Sequence, residues 1–164
     1  MKIFIAVPTY ENITPDTYKS IYGLFPAGHQ LVFDFIRGYD CAVARNRIAE
    51  QTLREGADFV LMVDNDVVLP SDALVNLLDD TKDVCLGAYP IRNSANQYDG
   101  NTCLCRLGEF DYTDMIPAQE IFALRSVGIY KRQIHGGGMG CALIRADVFR
   151  QIEKPWFKWK IYDV

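Results

Sequence analysis

Asp64 and Asp66 flank Asn65 inside the stretch ADFVLMVDNDVVL, residues 57–69. An apolar, β-branched run of that length reads as a strand buried on both faces. Side chains alternate along a strand, so the two carboxylates are expected on one face, roughly 6–7 Å apart. With no basic residue between them they repel each other and lose hydration. Either one takes up a proton or a cation neutralises them. A hard divalent ion, held by one or two carboxylates and completed by substrate phosphates, is the usual solution in phosphate chemistry. The competing reading is a pair of solvated turn carboxylates.

A second charged residue is out of place. Asp40 is an N-cap for a helix over residues 41–55 that Gly56 stops. At about 100° per residue, Cys41, Ala44, Ile48, Ala49, Thr52 and Leu53 form one apolar arc, with Arg47, Glu50 and Arg54 opposite. Arg45 falls inside the apolar arc. An arginine there must pair with a carboxylate or face a cleft at the helix's positive end.

The elements that position these groups follow in order. Residues 2–7 form a buried strand closed by Pro8. Thr14 caps a helix with Pro15 at its first position and Tyr18, Ile21, Tyr22 and Phe25 at helical spacing. Residues 29–36 alternate as a second strand, and 57–69 is the third. Pro70, Ser71 and Asp72 open a helix whose Ala73, Leu74, Leu77 and Leu78 face the core. Residues 83–89 are a fourth apolar run. The order β-α-β-α-β-α-β predicts an α/β fold with parallel strands. Ligands of such sheets bind beyond the carboxyl ends of the strands, here residues 8–11, 34–38, 64–66 and 89–92. Beyond them, residues 102–107 and 119–131 read as strands, and residues 134–144 as a glycine cluster running into a buried strand. Residues 145–152 read as a short helix, and residues 154–160 (KPWFKWK) are aromatic. This half is expected to extend the same sheet in mixed orientation.

With 164 residues, 49% of them hydrophobic, the chain suffices for one domain with a real core. A net charge of −4 argues against sequence-independent nucleic-acid binding. The apolar run after Met1 is too short for a signal-peptide core or a membrane span. Five cysteines without CxxC spacing suit a reduced, cytoplasmic compartment.

Four segments in this order, VPTYE (7–11), AVARNRIAEQTL (42–53), VLMVDNDVVLP (60–70) and GGGMGCALIRADVF (136–149), resemble the family-2 type of GT-A glycosyltransferases, small bacterial and phage members included. The resemblance implies a Rossmann-like, three-layer α/β/α fold with a mixed central sheet. It implies a single domain, with residues 1–92 binding the nucleotide and an incomplete 93–164 serving the acceptor. The implied reaction moves a sugar from a nucleotide-diphosphate donor, a UDP-sugar first, to a sugar, lipid or protein acceptor, with Mn2+ or Mg2+. On the same resemblance Pro8, Thr9, Tyr10 and Glu11 form the nucleoside loop, with Tyr10 against the base. Asp34 is the acidic residue after the second strand, and Arg45 lies near the base and diphosphate. Asp64, Asn65 and Asp66 form the DxD motif: Asp66 is the direct metal ligand, Asp64 lies nearer the ribose or reaches the metal through water, and Asn65 lines the donor. Residues 136–140 match a flexible loop beside the acceptor.

The departure is the general base. Members of that family continue into an acidic segment that nothing after Phe157 resembles, so no catalytic base is assigned. A donor-binding fragment or pseudoenzyme is therefore the alternative. A HAD-like phosphatase would need DxDxT after the first strand, whereas Val68 stands at the threonine position and the pair follows the third. Arg92 is a second candidate for the diphosphate, and His135 for a metal or acceptor contact. Both also read as ordinary loop or structural residues. Trp156 and Trp159 read as packing residues or as a stacking surface for an acceptor sugar. Cys103 and Cys105 lack partners at metal-site spacing, and the glycine cluster is not a P-loop.

Overall fold

Phe59–Val63 (β3) is buried along its whole length, and the larger of two structural units is built around it. The computed structural model describes residues 1–10, 12–78, 82–92, 95, 97–107, 113–127 and 133–159. Elements are numbered in chain order.

The larger unit comprises Met1–Cys85 and Gly140–Val164. It carries Lys2–Thr9 (β1), Pro15–Tyr22 (α1), Gln30–Arg37 (β2), Cys41–Arg54 (α2), β3, Ala73–Leu77 (α3), the first two residues of Val84–Leu86 (β4), Cys141–Arg145 (β9) and Val148–Gln151 (α5). Its sheet has the order β2-β1-β3-β9-β4. β1 runs parallel to both β2 and β3, as expected. β9 joins the same sheet antiparallel beside β3, with Val63 opposite Cys141, so the sheet is mixed, as expected where the second half extends it. Burial on both faces suits β9 to that interior position: CALI is buried throughout.

Two local readings change. β3 ends at Val63, so Asp64–Asp66 form a turn, closed by Val67 N–H donating to Asp64 O at 3.1 Å. Strand alternation therefore does not set the spacing of the two carboxylates. In α1 the inward face is Thr17 and Ile21, while Tyr18, Tyr22 and the following Phe25 are exposed. The Thr17 hydroxyl shares a 2.8 Å hydrogen bond with that of the N-cap Thr14, so it is buried without an unmet polar group. Tyr18 instead meets the edge of Phe33 on β2, ring centres 6.4 Å apart.

The second unit is Leu86–Met139. Pro90–Arg92 (β5), Tyr98–Leu107 (β6), Thr113–Pro117 (β7) and Gly136–Gly137 (β8) form a separate antiparallel sheet around β6, rather than an extension of the first. Cys103, Leu104 and Ile116 are its core, with Leu86, Tyr89, Ile91, Ile121 and Ile134 packed on them. Ala118–Ser126 (α4) is a helix where a strand was expected. Its AQEIFALRS is dominated by good helix formers, and the isolated β-branched and aromatic residues did not outweigh them. Gly138 is a close-packing position, because a Cβ there would run into the Tyr89 hydroxyl. The two compact units divide after residues 85 and 139, because β9 returns to β3. No helix among the described residues is long and apolar enough to cross a membrane.

Candidate functional site

The carboxyl ends of β1 and β3 lie side by side, and their loops are stitched together through Asn12. Thr9 Oγ1 donates to Asn12 O at 3.1 Å, and Asn65 Nδ2 donates to the same oxygen at 2.6 Å. Thr14 N–H donates to Asn65 O at 2.9 Å, tying the turn to the start of α1. On its other side, Asp64 N–H donates to Gly140 O at 2.9 Å. The backbone of the Asp64–Asp66 turn is thus held from two directions.

That turn presents Asp64 to α2. Arg45 Nη2 donates to Asp64 Oδ1 at 2.8 Å, with side chains 15% and 32% exposed. The arginine that the helical arc could not explain has found its carboxylate. Its Nε–H is buried with no acceptor among the described residues. An unmet buried donor costs about 1–3 kcal/mol, which is a reason to look for function in the way this guanidinium is held. Asp66 is exposed and makes no hydrogen bond or ion pair among the described residues. The two aspartates are therefore unequal. Arg45 already balances Asp64, and Asp66 is the uncommitted charge.

The other expected residues are placed as follows. Pro8 and Thr9 are the last residues of β1, opposite Ile36 and Arg37. Tyr10 follows them with its ring 70% exposed, and Glu11 lies outside the described residues. Asp34 sits opposite Ala6, three residues, or about 10 Å, short of the end of β2. Its carboxylate accepts from Phe35 N–H at 2.8 Å and Gln51 Nε2 at 3.1 Å, tying β2 to α2 rather than joining the turn. Arg92 and His135 belong to the second unit, where His135 N–H donates to Cys105 O at 3.0 Å. All five cysteines are free. Burial pushes the Cys103 thiol up, and its Sγ lies 3.4 Å from Gly87 O.

No group of three metal-ligating side chains occurs among the described residues. One free and one half-committed carboxylate fit a hard cation only if ligand oxygens complete its shell, as in phosphate-bound Mg2+ sites.

Sequence reasoning missed how residues 154–159 close over α2. Asn46 Nδ2 donates to Phe157 O at 2.7 Å and Phe157 N–H donates back to Asn46 Oδ1 at 3.2 Å. Lys154 pairs with Glu50 at 2.9 Å, and the ammonium holds the Glu50 carboxyl below its ordinary value. Between this strap and the start of α2 is a cleft of about 240 Å3 that includes Arg45, Trp156 and Trp159. The aromatic run was visible in the sequence. Its docking rests on Asn46 and Glu50, polar residues on an otherwise ordinary helix face, which carry no distinct signal.

Comparison with known proteins bears on the fold alone. A crystal structure of A197 from STIV, a viral protein, is similar with a TM-score of 0.60 and 17% identity, covering 96% of this chain and 72% of that one. No family model matches the chain, and no curated protein matches it in sequence. Membership of the family-2 type of GT-A glycosyltransferases is accordingly corrected: no family model matches, and the structural match is to A197, a viral protein, and not to a named glycosyltransferase family. The four segments behind that resemblance are the end of β1, the body of α2, β3 with its turn, and β9 with its flanks, elements that the demands of an α/β sheet can themselves shape. What the chain is similar to is the fold of A197.

Proposed function

We propose that this protein transfers a sugar from a nucleotide-diphosphate donor to an acceptor hydroxyl at the turn after β3, with Mn2+ or Mg2+. One observation carries the reading: the Arg45–Asp64 pair stands beside the uncommitted Asp66 at the carboxyl edge of the parallel strands β1 and β3. That edge is where α/β sheets bind nucleotides. On this reading the larger unit is the core of a Rossmann-like, three-layer nucleotide-diphospho-sugar transferase fold.

Each residue then has a task. Asp66, with Asp64 beside it, would hold the cation, which when bound supplies Lewis-acid stabilisation of the leaving diphosphate. Arg45 contributes a fixed positive charge next to the same phosphates. Asn65 and Thr9, both anchored on Asn12 O, keep the loop in register for the ribose. Tyr10 offers an exposed ring to the base. In the transfer the acceptor oxygen bonds to the anomeric carbon, and the anomeric carbon–phosphate oxygen bond breaks. The electron pair leaves with the nucleoside diphosphate, and the acceptor proton passes to a base. No residue is assigned as that base.

The test is nucleoside diphosphate release from a panel of donors, UDP-sugars first, with Mn2+ or with EDTA. Release that needs Mn2+ and is lost in Asp66→Asn is expected. Equal release by Asp66→Asn, or none by the intact protein with any donor, contradicts the assignment. Cation-dependent donor binding without release would reduce the function to nucleotide-sugar binding.

A further inference from the structure

The cleft between α2 and the 154–159 strap shares Arg45 with the donor turn, and the rest of its lining has no part in the donor chemistry above. Its wall is rigid. Trp156 packs against Phe149 with ring centres 5.5 Å apart, and its Nε1–H donates to Phe149 O at 3.0 Å. The Lys154 ammonium lies 4.7 Å above the Trp156 ring, and the Asn46–Phe157 pair of hydrogen bonds fixes the backbone between the two tryptophans. Trp159 differs from its neighbour. It is 68% exposed, and neither its indole nor the Lys158 ammonium has a hydrogen bond or ion pair among the described residues. At the inner end is Arg45, whose charge Asp64 balances.

We infer that this cleft is a saccharide subsite, in which one neutral pyranose ring stacks on Trp159 while its hydroxyls bond to Lys158 and the Trp159 N–H. Size and charge select that class. A volume of about 240 Å3 falls below the ~300–1,000 Å3 of sites for drug-sized ligands, so it suits one ring rather than a whole nucleotide. Arg45 is tied to Asp64 and directed to the donor phosphates at the neighbouring turn, so Lys158 is the cleft's own cation and does not by itself offset a second diphosphate. What remains is an open aromatic face with uncommitted donors at its rim, and the axial C–H face and equatorial hydroxyls of a pyranose match it. That this ring belongs to the acceptor rests on the glycosyl-transfer reading above, because Arg45 is shared by the cleft and the Asp64 turn. The binding of a saccharide does not rest on it.

The experiment is saturation-transfer NMR on the whole protein with methyl glucopyranoside, galactopyranoside and mannopyranoside as probes. The Mn2+-dependent thermal shift by UDP is measured in parallel. The intact protein is expected to saturate with at least one pyranoside. Trp159→Ala should weaken that binding about tenfold or more, and Trp159→Phe by less, because a ring face is retained. Asn46→Ala should weaken it by loosening the strap. UDP binding should stay unchanged in Trp159→Ala. Absence of pyranoside binding to the intact protein, or equal binding by Trp159→Ala, overturns the subsite. So does loss of the UDP shift in Trp159→Ala without any pyranoside signal, which would make the cleft part of a nucleotide site. Pyranoside binding without a UDP shift in the intact protein supports the subsite and removes the donor assignment.

Discussion

Arg45 and Asp66 divide the local electrostatics between them. Arg45 is 15% exposed and spends one Nη–H on Asp64, so Arg45→Met leaves a half-buried carboxylate without its partner. A loss of about 1–2 kcal/mol in urea denaturation is expected, below the 3–5 kcal/mol of a fully buried pair because water still reaches Asp64. Asp66→Asn removes no hydrogen bond or ion pair among the described residues and should stay within about 0.5 kcal/mol of the parent protein, while abolishing any dependence of ligand binding on Mn2+. Thiol chemistry separates two further residues. Exposed Cys41 should react with a maleimide well before Cys103, whose thiol burial keeps protonated; equal rates in peptide mapping would contradict the packing of the second unit. Arg45 was legible in the sequence because an arginine on an apolar arc demands an explanation. Its choice of Asp64 was not, since the partner is 19 residues away and only the crossover from α2 to β3 brings the two together.

At the level of elements, one close approach sets where α2 lies and one ion pair holds the strap on it. Gly38 sits between β2 and α2, and a Cβ there would come within 2.6 Å of Ala44 N. Gly38→Ala must push away the turn that carries Arg45. It should cost about 1–3 kcal/mol and weaken ligand binding as well, measured by denaturation and titration of the same sample. The strap is pH-sensitive through Glu50. Lys154 lowers its carboxyl below the ordinary 4.5, so the contact stabilises the docked strap above that value. The stabilisation is lost as pH falls through the lowered folded value. Trp156 fluorescence should therefore hold steady from neutral pH to about 5 and change below about 4; in Glu50→Gln that acid change should shrink. Caps and breakers in this half were readable: Thr14, Pro15, Asp40 and Gly56 act as their types predict. The inward face of α1 was misread because a buried threonine looks polar until its hydroxyl partner is known. α4 was misread because scattered apolar residues were given more weight than helix propensity.

For the whole molecule, the parallel arrangement of β1, β2 and β3 followed from the sequence, and the place of β9 did not. Burial on both faces makes parallel and antiparallel interior strands read alike, so only pairing distinguishes them. The same limit applies to family: short motifs at strand ends suggested a membership that the structural match to A197 does not carry. The central claim is that the turn after β3 binds a nucleotide diphosphate through a cation, and mass action gives it a direct measurement. The melting temperature of the protein is recorded with UDP at about a hundredfold over its dissociation constant, with and without Mn2+, for the parent and Asp66→Asn. Stabilisation of roughly 2–3 kcal/mol, or about 5–10 °C for a chain of this size, is predicted only where UDP, Mn2+ and Asp66 are all present. A shift of equal size without Mn2+, or one that survives in Asp66→Asn, would contradict the account.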